Sequence, residues 1–352
     1  MTLLKIQWKL NSNPMPSEQI EHIPTSDHKK TLLSLLALIL VGVGGWGVYS
    51  YYSKETLTPE QVLMVSTKNA LEIDSSTFDV RVDVDFPKPA EDASQDTELF
   101  PGFELKNLVF NVKGSYDGHD LENPKYDLNM AVEADMFSVS AAFKMVDKMG
   151  YLRLEKVPVV AEEMARDFVD KWFSFSLESE EFEETLGGLT EEDKKFLYDT
   201  SVTSKSLKIT EVLPLEKING DISYHYSFTM DLVELKAYLI KIGEYANMNM
   251  EAEEGAELFD VNSFEEGFEA VKKIDGSVWI SKKDKYMNKL VLDIEVAPDP
   301  SKTETVKTNV TATFGEFNKS STVVAPTEST SFEEIFGDVF TPSEESLQIE
   351  TE

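Results

Sequence analysis

Alternating apolar and polar residues predict β-strands along most of the chain. Between Phe78 and Phe86 every even position is apolar, whereas the odd positions are charged. Successive side chains of a strand point to opposite faces, so this pattern predicts one dry face and one wet face. Similar strands are predicted at residues 108–116, 126–134, 137–145, 150–157, 171–178, 206–213, 221–230, 276–282, 289–296 and 305–314. One-sided strands favour an antiparallel sheet, because strands that are buried on both faces are apolar throughout.

The apolar positions change from even to odd numbers within residues 125–145. They are even up to Ala134 and odd from Phe137 onward. Opposed residues of a hairpin share a face, so pairing Ala134 with Phe137 places all of these side chains on one face. The same register predicts the apolar pairs Tyr126–Met145, Leu128–Phe143, Met130–Ala141 and Val132–Val139. Asp135-Met136 is not a favoured turn dipeptide, which favours a four-residue loop in this register.

Helices are predicted before and between the strands. Thr58, Pro59 and Gln61 match a capping box, which predicts a helix that ends near Leu71. Asp231 is a candidate N-cap for a one-sided apolar helix. The helices that follow from such patterns cover residues 58–71, 159–169, 180–200, 231–245 and 264–273. The fold class is therefore α+β, with a large antiparallel sheet of about ten strands that tends to curl, and helices on its dry face.

Residues 31–52 contain no charge and are long enough to cross a hydrocarbon core. Lys29 and Lys30 precede the segment, and Trp46 and three tyrosines crowd its far end, where such rings prefer the membrane interface. The pattern predicts one uncleaved transmembrane helix in the cell membrane, with a cytoplasmic N-terminus and an extracytoplasmic C-terminal domain. A buried core helix and a cleaved signal peptide are the alternatives.

Four regions follow from these patterns. Residues 1–30 are predicted to be a disordered cytoplasmic tail, residues 31–52 the transmembrane helix and residues 53–326 the extracytoplasmic domain. Residues 327–352 are rich in Glu, Ser and Thr without Lys or Arg, which predicts an acidic flexible tail. Within that tail, SFEEIFGDVF (331–340) offers a short apolar contact.

The composition excludes several classes of function. A net charge of −32 opposes electrostatic binding to nucleic acid, which needs a basic surface. The chain has no cysteine, so it has no disulfide, thiolate zinc site or cysteine nucleophile. We therefore expect no nucleic-acid partner, and contact with the membrane through residues 31–52.

No catalytic constellation is visible in the sequence. The four histidines are not spaced as metal ligands, and phosphate-loop and hydrolase motifs are absent. Asp83 and Asp85 share a strand face, but a solvated surface is the favoured interpretation of this pair. Residues 116–123 gather carboxylates without the ligand spacing of an EF-hand. We predict no catalytic residue, no metal site and no cofactor, and hence no enzyme.

Three stretches resemble a known family. They are the strand series 103–156, the strand and helix INGDISYHYSFTMDLVELKAYL (218–239), and DGSVWISKKDKYMNKLVLDIEV (275–296) with its lysine-rich turn. Their order resembles the lipoprotein-carrier and mycobacterial lipoprotein group with the LolA/LppX-like fold, over roughly residues 58–325. The resemblance implies an open half-barrel with helices on its concave side, which shields lipid acyl chains. The lipidated cysteine of that group is missing, and a transmembrane segment stands in its place, as in a membrane-anchored variant.

These inferences lead to a non-catalytic, membrane-tethered module for a lipid or other hydrophobic ligand. The candidate lining residues are apolar or aromatic and alternate within predicted strands: Phe78, Val80, Val82, Leu128, Phe143, Tyr224, Tyr226 and Leu292. The same residues suit an ordinary filled core. The alternative function is an envelope interaction or sensing protein with a solid sheet as scaffold; the sequence identifies no protein partner.

Overall fold

The structure, a computed structural model, describes residues 57–87, 106–121, 123–135, 137–177, 189–249, 259–297, 304–332 and 334. This part of the chain is α+β, with one open sheet of twelve strands. The strands are β1 (Ser75–Asp85), β2 (Asn107–Asp117), β3 (Lys125–Ala134), β4 (Phe137–Val146), β5 (Met149–Lys156), β6 (Trp172–Ser176), β7 (Leu207–Ile218), β8 (Asp221–Met230), β9 (Val271–Ser281), β10 (Met287–Val296), β11 (Val306–Gly315) and β12 (Thr330–Ser331). The helices are α1 (Pro59–Ala70), α2 (Glu162–Ala165, after a 3-10 turn at Val159–Ala161), α3 (Glu191–Thr203), α4 (Leu232–Asn249) and α5 (Val261–Glu269).

The sheet consists of two meanders that meet at β1 and β11. Its order is β12-β6-β5-β4-β3-β2-β1-β11-β10-β9-β8-β7. All pairs among strands β1 to β11 are antiparallel, which confirms the prediction from one-sided alternation. The expectation of a purely antiparallel sheet of about ten strands is wrong at its edge. The two-residue β12 pairs parallel with β6, so the sheet is mixed.

The β3–β4 hairpin has the predicted register. Ala134 lies opposite Phe137, and all four of the other predicted apolar pairs are present. The preference for a four-residue loop is wrong, because pairing continues to Ala134 and Phe137 and leaves two residues between the strands. The requirement that both strands keep their apolar side chains on one face prevails over turn propensity.

Helices cover one face of the sheet, which we call the inner face; the opposite face is the outer face. Residues of α1, α4 and α5 form one core cluster with β1 and β7 to β11. The helices contribute fully buried side chains such as Val62, Leu235 and Leu239, which belong to the same cluster as Leu290 and Val310 of the sheet. Within the described ranges, no side chain of β2 to β6 belongs to this cluster. The helix-covered core therefore lies over β1 and β7 to β11.

The ends of the helices follow their caps. Thr58 and Gln61 form the predicted capping box at the start of α1. Thr190 and Asp193 form a second capping box, which starts α3 well inside the predicted helical segment 180–200. Helix α5 ends at Glu269, and the predicted helical residues 271–273 belong to β9 instead.

The predicted tail 1–30 and the predicted transmembrane helix 31–52 lie outside the described residues. Of the predicted tail 327–352, residues 327–332 and 334 are described, and they include β12. In the part of the chain that the structure covers, no helix has the length and apolarity needed to span a membrane.

Asp117 joins the end of β2 to the segment after β11. Its carboxylate accepts hydrogen bonds from the Ser321 N–H at 2.9 Å and from the His119 N–H at 3.2 Å, and it lies 2.7 Å from His119 Nδ1. Burial acts to raise the pKa of Asp117, but the hydrogen bonds from His119 and Ser321 together lower it below its ordinary value. The ionised carboxylate is therefore part of the folded structure.

We expect Asp117→Asn to lower the free energy of unfolding by about 2 kcal/mol at neutral pH, because charge-assisted hydrogen bonds are lost. A carboxyl group whose pKa is lower in the folded state stabilises the fold at pH values above its unfolded-state pKa. This stabilisation is lost as the pH falls through the folded-state pKa. The difference between the two proteins should therefore shrink towards pH 2 (about two units below the unfolded carboxyl pKa). Urea unfolding at several pH values measures it, with Asp79→Asn on the exposed outer face as the control. A deficit that does not change with pH would contradict this role.

Candidate functional site

Along a row of paired residues that crosses the strands, the side chains of the inner face change from fully buried to accessible. In one row Leu292 lies opposite Val310, Val310 opposite Val82, and Val82 opposite Phe110. Their exposed fractions are 1%, 0%, 8% and 39%. The row continues through half-buried side chains of β3 and β4. The helices thus end their cover near β1, while the apolar surface continues.

The accessible part of the inner face, which we call the open apolar face, is formed by β2 to β5. All of the inner positions that form this face carry apolar side chains. These side chains are half-buried, except for that of Phe110, which is exposed. Its members are Leu108, Phe110, Val112, Leu128, Met130, Val132, Val139, Ala141, Phe143, Leu152 and Leu154. Such a contiguous apolar surface is a candidate interaction site.

Two tyrosines mark one end of the open apolar face. Tyr116 of β2 lies opposite Tyr126 of β3, and their ring centroids are 5.0 Å apart. Burial raises the pKa of both phenols, and nearby Asp74 adds to the effect at Tyr116. Both hydroxyls are therefore protonated at neutral pH, and they give an otherwise apolar surface a polar end.

All eight predicted lining residues lie on the inner face, but they divide into two groups. Val82, Tyr226 and Leu292 are buried in the helix-covered core, and burial raises the pKa of Tyr226 to about 12. Val80 and Tyr224 pack against the same core. The half-buried residues Phe78, Leu128 and Phe143 are the members outside the buried core, and the last two belong to the open apolar face.

Several residues of the open apolar face were missing from the predicted lining set. Phe110, Met130 and Val139 alternate in the same way as the predicted residues, so the strand pattern places them on this face. Their accessibility depends on where the helices pack, which strand alternation does not encode.

The outer face is polar and charged. Trp279 donates from Nε1 to Glu216 at 2.7 Å, stacks on His225 at 4.1 Å between centroids, and receives Lys289 on its ring. Burial lowers the pKa of His225, although Glu216 acts to raise it. These contacts fix the side chains of this face to one another.

A pocket of about 530 Å³ lies at the β1, β2 and β11 end of the outer face. Most of its lining residues are polar, among them Asp79, Lys113 and Asp127, and the predicted lining residue Phe78 also forms part of its wall. Lys113 pairs with Asp79 at 3.4 Å, and Asp127 with Lys144 at 3.0 Å. Charged side chains line this pocket and none lies among the inner positions of the open apolar face, so the open apolar face is the better candidate site for an apolar ligand.

The carboxylates considered from the sequence are engaged in local contacts. Asp83 forms an ion pair with Arg81 at 2.7 Å, and Asp85 accepts from Asn107 at 3.0 Å. In the loop 116–123, Asp117 is held by His119 and Ser321 as described above. Among the described residues, no three His, Cys, Asp or Glu side chains are grouped as metal ligands.

No protein-family model and no curated protein sequence matches this chain.

Among solved structures, the chain is similar to LprF from Mycobacterium bovis and to the Mycobacterium tuberculosis lipoprotein LppX. The match to LprF has 13% identity and a TM-score of 0.37, and covers 77% of this chain and 99% of LprF. The match to LppX has 10% identity and a TM-score of 0.32, and covers 75% and 96%. A DUF1329 family protein from Desulfovibrio piger matches at 10% identity and a TM-score of 0.18, over 74% and 93%. The likeness is to the LppX-type group that the sequence resembles, and at these TM-scores it says nothing about the site of this chain.

Proposed function

We propose that this protein is a non-catalytic binding module for a lipid or another ligand with a long apolar chain, and that the open apolar face is its binding surface. The observation that carries the proposal is the change in exposure along one row, from 0% at Val310 to 39% at Phe110. The row keeps its apolar side chains where the helices no longer cover them. A purely structural sheet would have polar residues there.

The energetics favour an extended apolar ligand. Burying apolar surface contributes about 25 cal/mol per Å², before the costs of association. The inner positions of β2 to β5 offer no charged group that such a ligand would have to desolvate. The neutral phenols of Tyr116 and Tyr126 provide hydrogen bonds for a polar end group. We therefore orient the ligand with its polar end at the tyrosines and its chain along Leu128 and Met130.

We also propose that the module is tethered to the membrane. Residues 31–52 tether the module as a single transmembrane helix, with the N-terminus in the cytoplasm and the binding domain outside the membrane on the other side. The uncharged sequence and the preceding Lys29 and Lys30 support this arrangement. A tethered module receives its ligand from, and returns it to, the membrane beside it.

Native mass spectrometry tests the proposal. We expect the chain from residue 53 onward, purified without detergent after incubation with phosphatidylcholine vesicles, to carry a bound mass of one lipid. The lipid should be released by organic extraction and identified by its mass. A chain that keeps its bare mass after this incubation would contradict the proposal.

A further inference from the structure

The pocket at the β1, β2 and β11 end of the outer face, which we call the outer pocket, is lined by two neighbouring rows of paired residues. The rows cross β11, β1, β2 and β3. Side chains two residues apart on a strand lie about 7 Å from each other on the same face, and neighbouring strands lie about 5 Å apart. The rows therefore form a grid of hydroxyl, amide, carboxylate and ammonium groups. Apart from Gly315, the lining residues in these rows are Thr77, Asp79, Lys113, Ser115, Asp127, Asn129 and Thr313.

The turn between β7 and β8 forms a further wall of the outer pocket. Asn219 and Gly220 make this turn, and both have a positive φ, as the central residues of an Asn-Gly hairpin turn require. The side chain of Asn219 donates from Nδ2 to the carbonyl oxygen of Phe314 at 3.2 Å, so the turn is fixed to β11. Asn219 also lines the pocket. Strands that are distant along the chain therefore define the pocket together.

The charges at the outer pocket neutralise one another. Lys113 Nζ lies 3.4 Å from a carboxylate oxygen of Asp79, and Lys144 Nζ lies 3.0 Å from one of Asp127. Each carboxylate of the pocket thus has a basic partner, which leaves no uncompensated charge for a cation or an anion. The net charge of −32 repels anionic ligands in addition. The outer pocket therefore favours a neutral ligand.

The lining also requires that the ligand be rich in hydrogen-bonding groups. Small-molecule sites are usually lined by apolar side chains, whereas most lining residues here are polar. A hydroxyl group both donates and accepts hydrogen bonds, so a polyhydroxylated ring can pair with every kind of group in the grid. Ionised carboxylates accept such bonds strongly. The volume of about 530 Å³ lies within the usual range of about 300–1,000 Å³ for a small-molecule site.

We propose that the outer pocket binds a neutral saccharide. Asp79 and Asp127 accept hydrogen bonds from the hydroxyl groups of the sugar. Lys113 and Asn129 donate hydrogen bonds to its oxygen atoms. The outer pocket and the open apolar face lie on opposite faces of the sheet, so the saccharide and the apolar ligand bind independently. The saccharide site therefore does not rest on the proposed function.

Gly315 leaves part of the space that the saccharide occupies. A Cβ atom at this position would lie 3.5 Å from Thr77 Oγ1 and 3.7 Å from Asn219 Nδ2, which are ordinary contact distances. The φ of Gly315 lies outside the left-handed region, so the backbone accepts a larger residue. A leucine side chain at residue 315 would therefore enter the outer pocket without straining β11.

Isothermal titration calorimetry of the full chain, in a detergent without sugar groups, tests the proposal with maltotriose, cellotriose, chitotriose and mannotriose. We expect at least one of them to bind with a Kd below about 1 mM, and Gly315→Leu to weaken that binding at least about tenfold. Thr311→Leu is the matched control, because it places the same side chain on the same face of β11 outside the pocket lining. It should bind as the unsubstituted chain does. Binding of none of the four trisaccharides, or equal binding by the two variants, would overturn the proposal.

Asp127→Asn gives a second measurement in case leucine disturbs β11. It replaces a charged acceptor with a neutral one, and we expect the affinity to fall at least about fivefold. Asp293→Asn makes the same change on the outer face of β10, outside the pocket lining, and should leave the affinity unchanged. Trigalacturonate should bind at least about tenfold more weakly than the neutral trisaccharide. Equal affinities of the two variants, or tighter binding of the anionic sugar, would contradict the assigned site or its neutral ligand.

One further variant separates this site from the open apolar face. Met130→Asp lies on the inner face and should leave trisaccharide binding unchanged. The trisaccharides carry no acyl chain, so their binding assigns the sugar itself. Loss of trisaccharide binding in Met130→Asp, or binding only to vesicles that contain a glucosyl diacylglycerol, would overturn the proposal. If native mass spectrometry finds no lipid but the trisaccharide binds, the proposed function fails while the saccharide site stands.

Discussion

We expect Leu292→Ala to lower the free energy of unfolding by about 3 kcal/mol, the largest stability effect of any single substitution considered for this protein. Leu292 is 1% exposed and packs in the core cluster beneath the helices. Removing its side chain leaves a cavity that the surrounding strands and helices cannot close. The cost therefore combines the lost burial of the leucine with the lost packing of its neighbours.

Leu128→Ala is the matched control. Leu128 lies on the same face of the same sheet and was predicted from the sequence to have the same role, but its side chain is half-buried. We expect a loss of about 1 kcal/mol, since less apolar surface is returned to water and no closed cavity forms. Urea unfolding of the purified variants measures both losses. Equal losses at the two positions would contradict the division of the inner face into a covered core and an open part.

Met130→Asp should strongly weaken ligand binding. Met130 lies in the middle of the open apolar face, between Val112 of β2 and Ala141 of β4. A carboxylate there must either stay hydrated, which excludes the apolar chain, or be buried beneath it at a high cost. We expect the affinity for a fluorescent acyl-chain probe to fall by at least about tenfold, which corresponds to about 1.4 kcal/mol.

Asn129→Asp is the control for this prediction. It adds the same charge at the neighbouring position of the same strand, but on the exposed outer face. We expect probe binding close to that of the unsubstituted protein, because the change in net charge is the same and only the face differs. Probe titration and circular dichroism of both variants separate loss of binding from loss of fold. Similar binding by Met130→Asp and Asn129→Asp would show that the open apolar face does not hold the probe.

Strand alternation explains why much of the sheet was predictable. The change from even to odd apolar positions around Ala134 and Phe137 defines the hairpin register, because one face must remain apolar across both strands. The same rule places Leu128 and Leu292 on one face although they belong to distant strands. Local side-chain periodicity is enough for such features.

Other features depend on contacts between distant parts of the chain. Strand β12 has two residues and shows no alternation, so it exists only because β6 offers an edge for pairing. The two-residue loop between β3 and β4 opposes the turn preference of Asp135-Met136, and pairing along the whole hairpin compensates for that.

The sequence predicts on which face of the sheet the candidate site lies, but not which strands form it. Alternation assigns Val82 and Phe110 to one row, yet α1, α4 and α5 pack over β1 and β7 to β11 and leave β2 to β5 accessible. Which strands the helices cover depends on contacts between residues that are far apart in the sequence. Buried core and candidate binding surface therefore have the same sequence pattern, and the structure separates them.

Acyl-chain photolabelling in the full chain tests the central claim most directly. The protein is reconstituted with a phospholipid that carries a photoreactive group near the end of one acyl chain, and labelled peptides are mapped by mass spectrometry. We predict labels at inner positions of residues 107–154, such as Met130 and Phe143, and none at their outer neighbours. Labels confined to residues 31–52, or spread equally over both faces of the strands, would contradict the claim that the open apolar face binds the ligand.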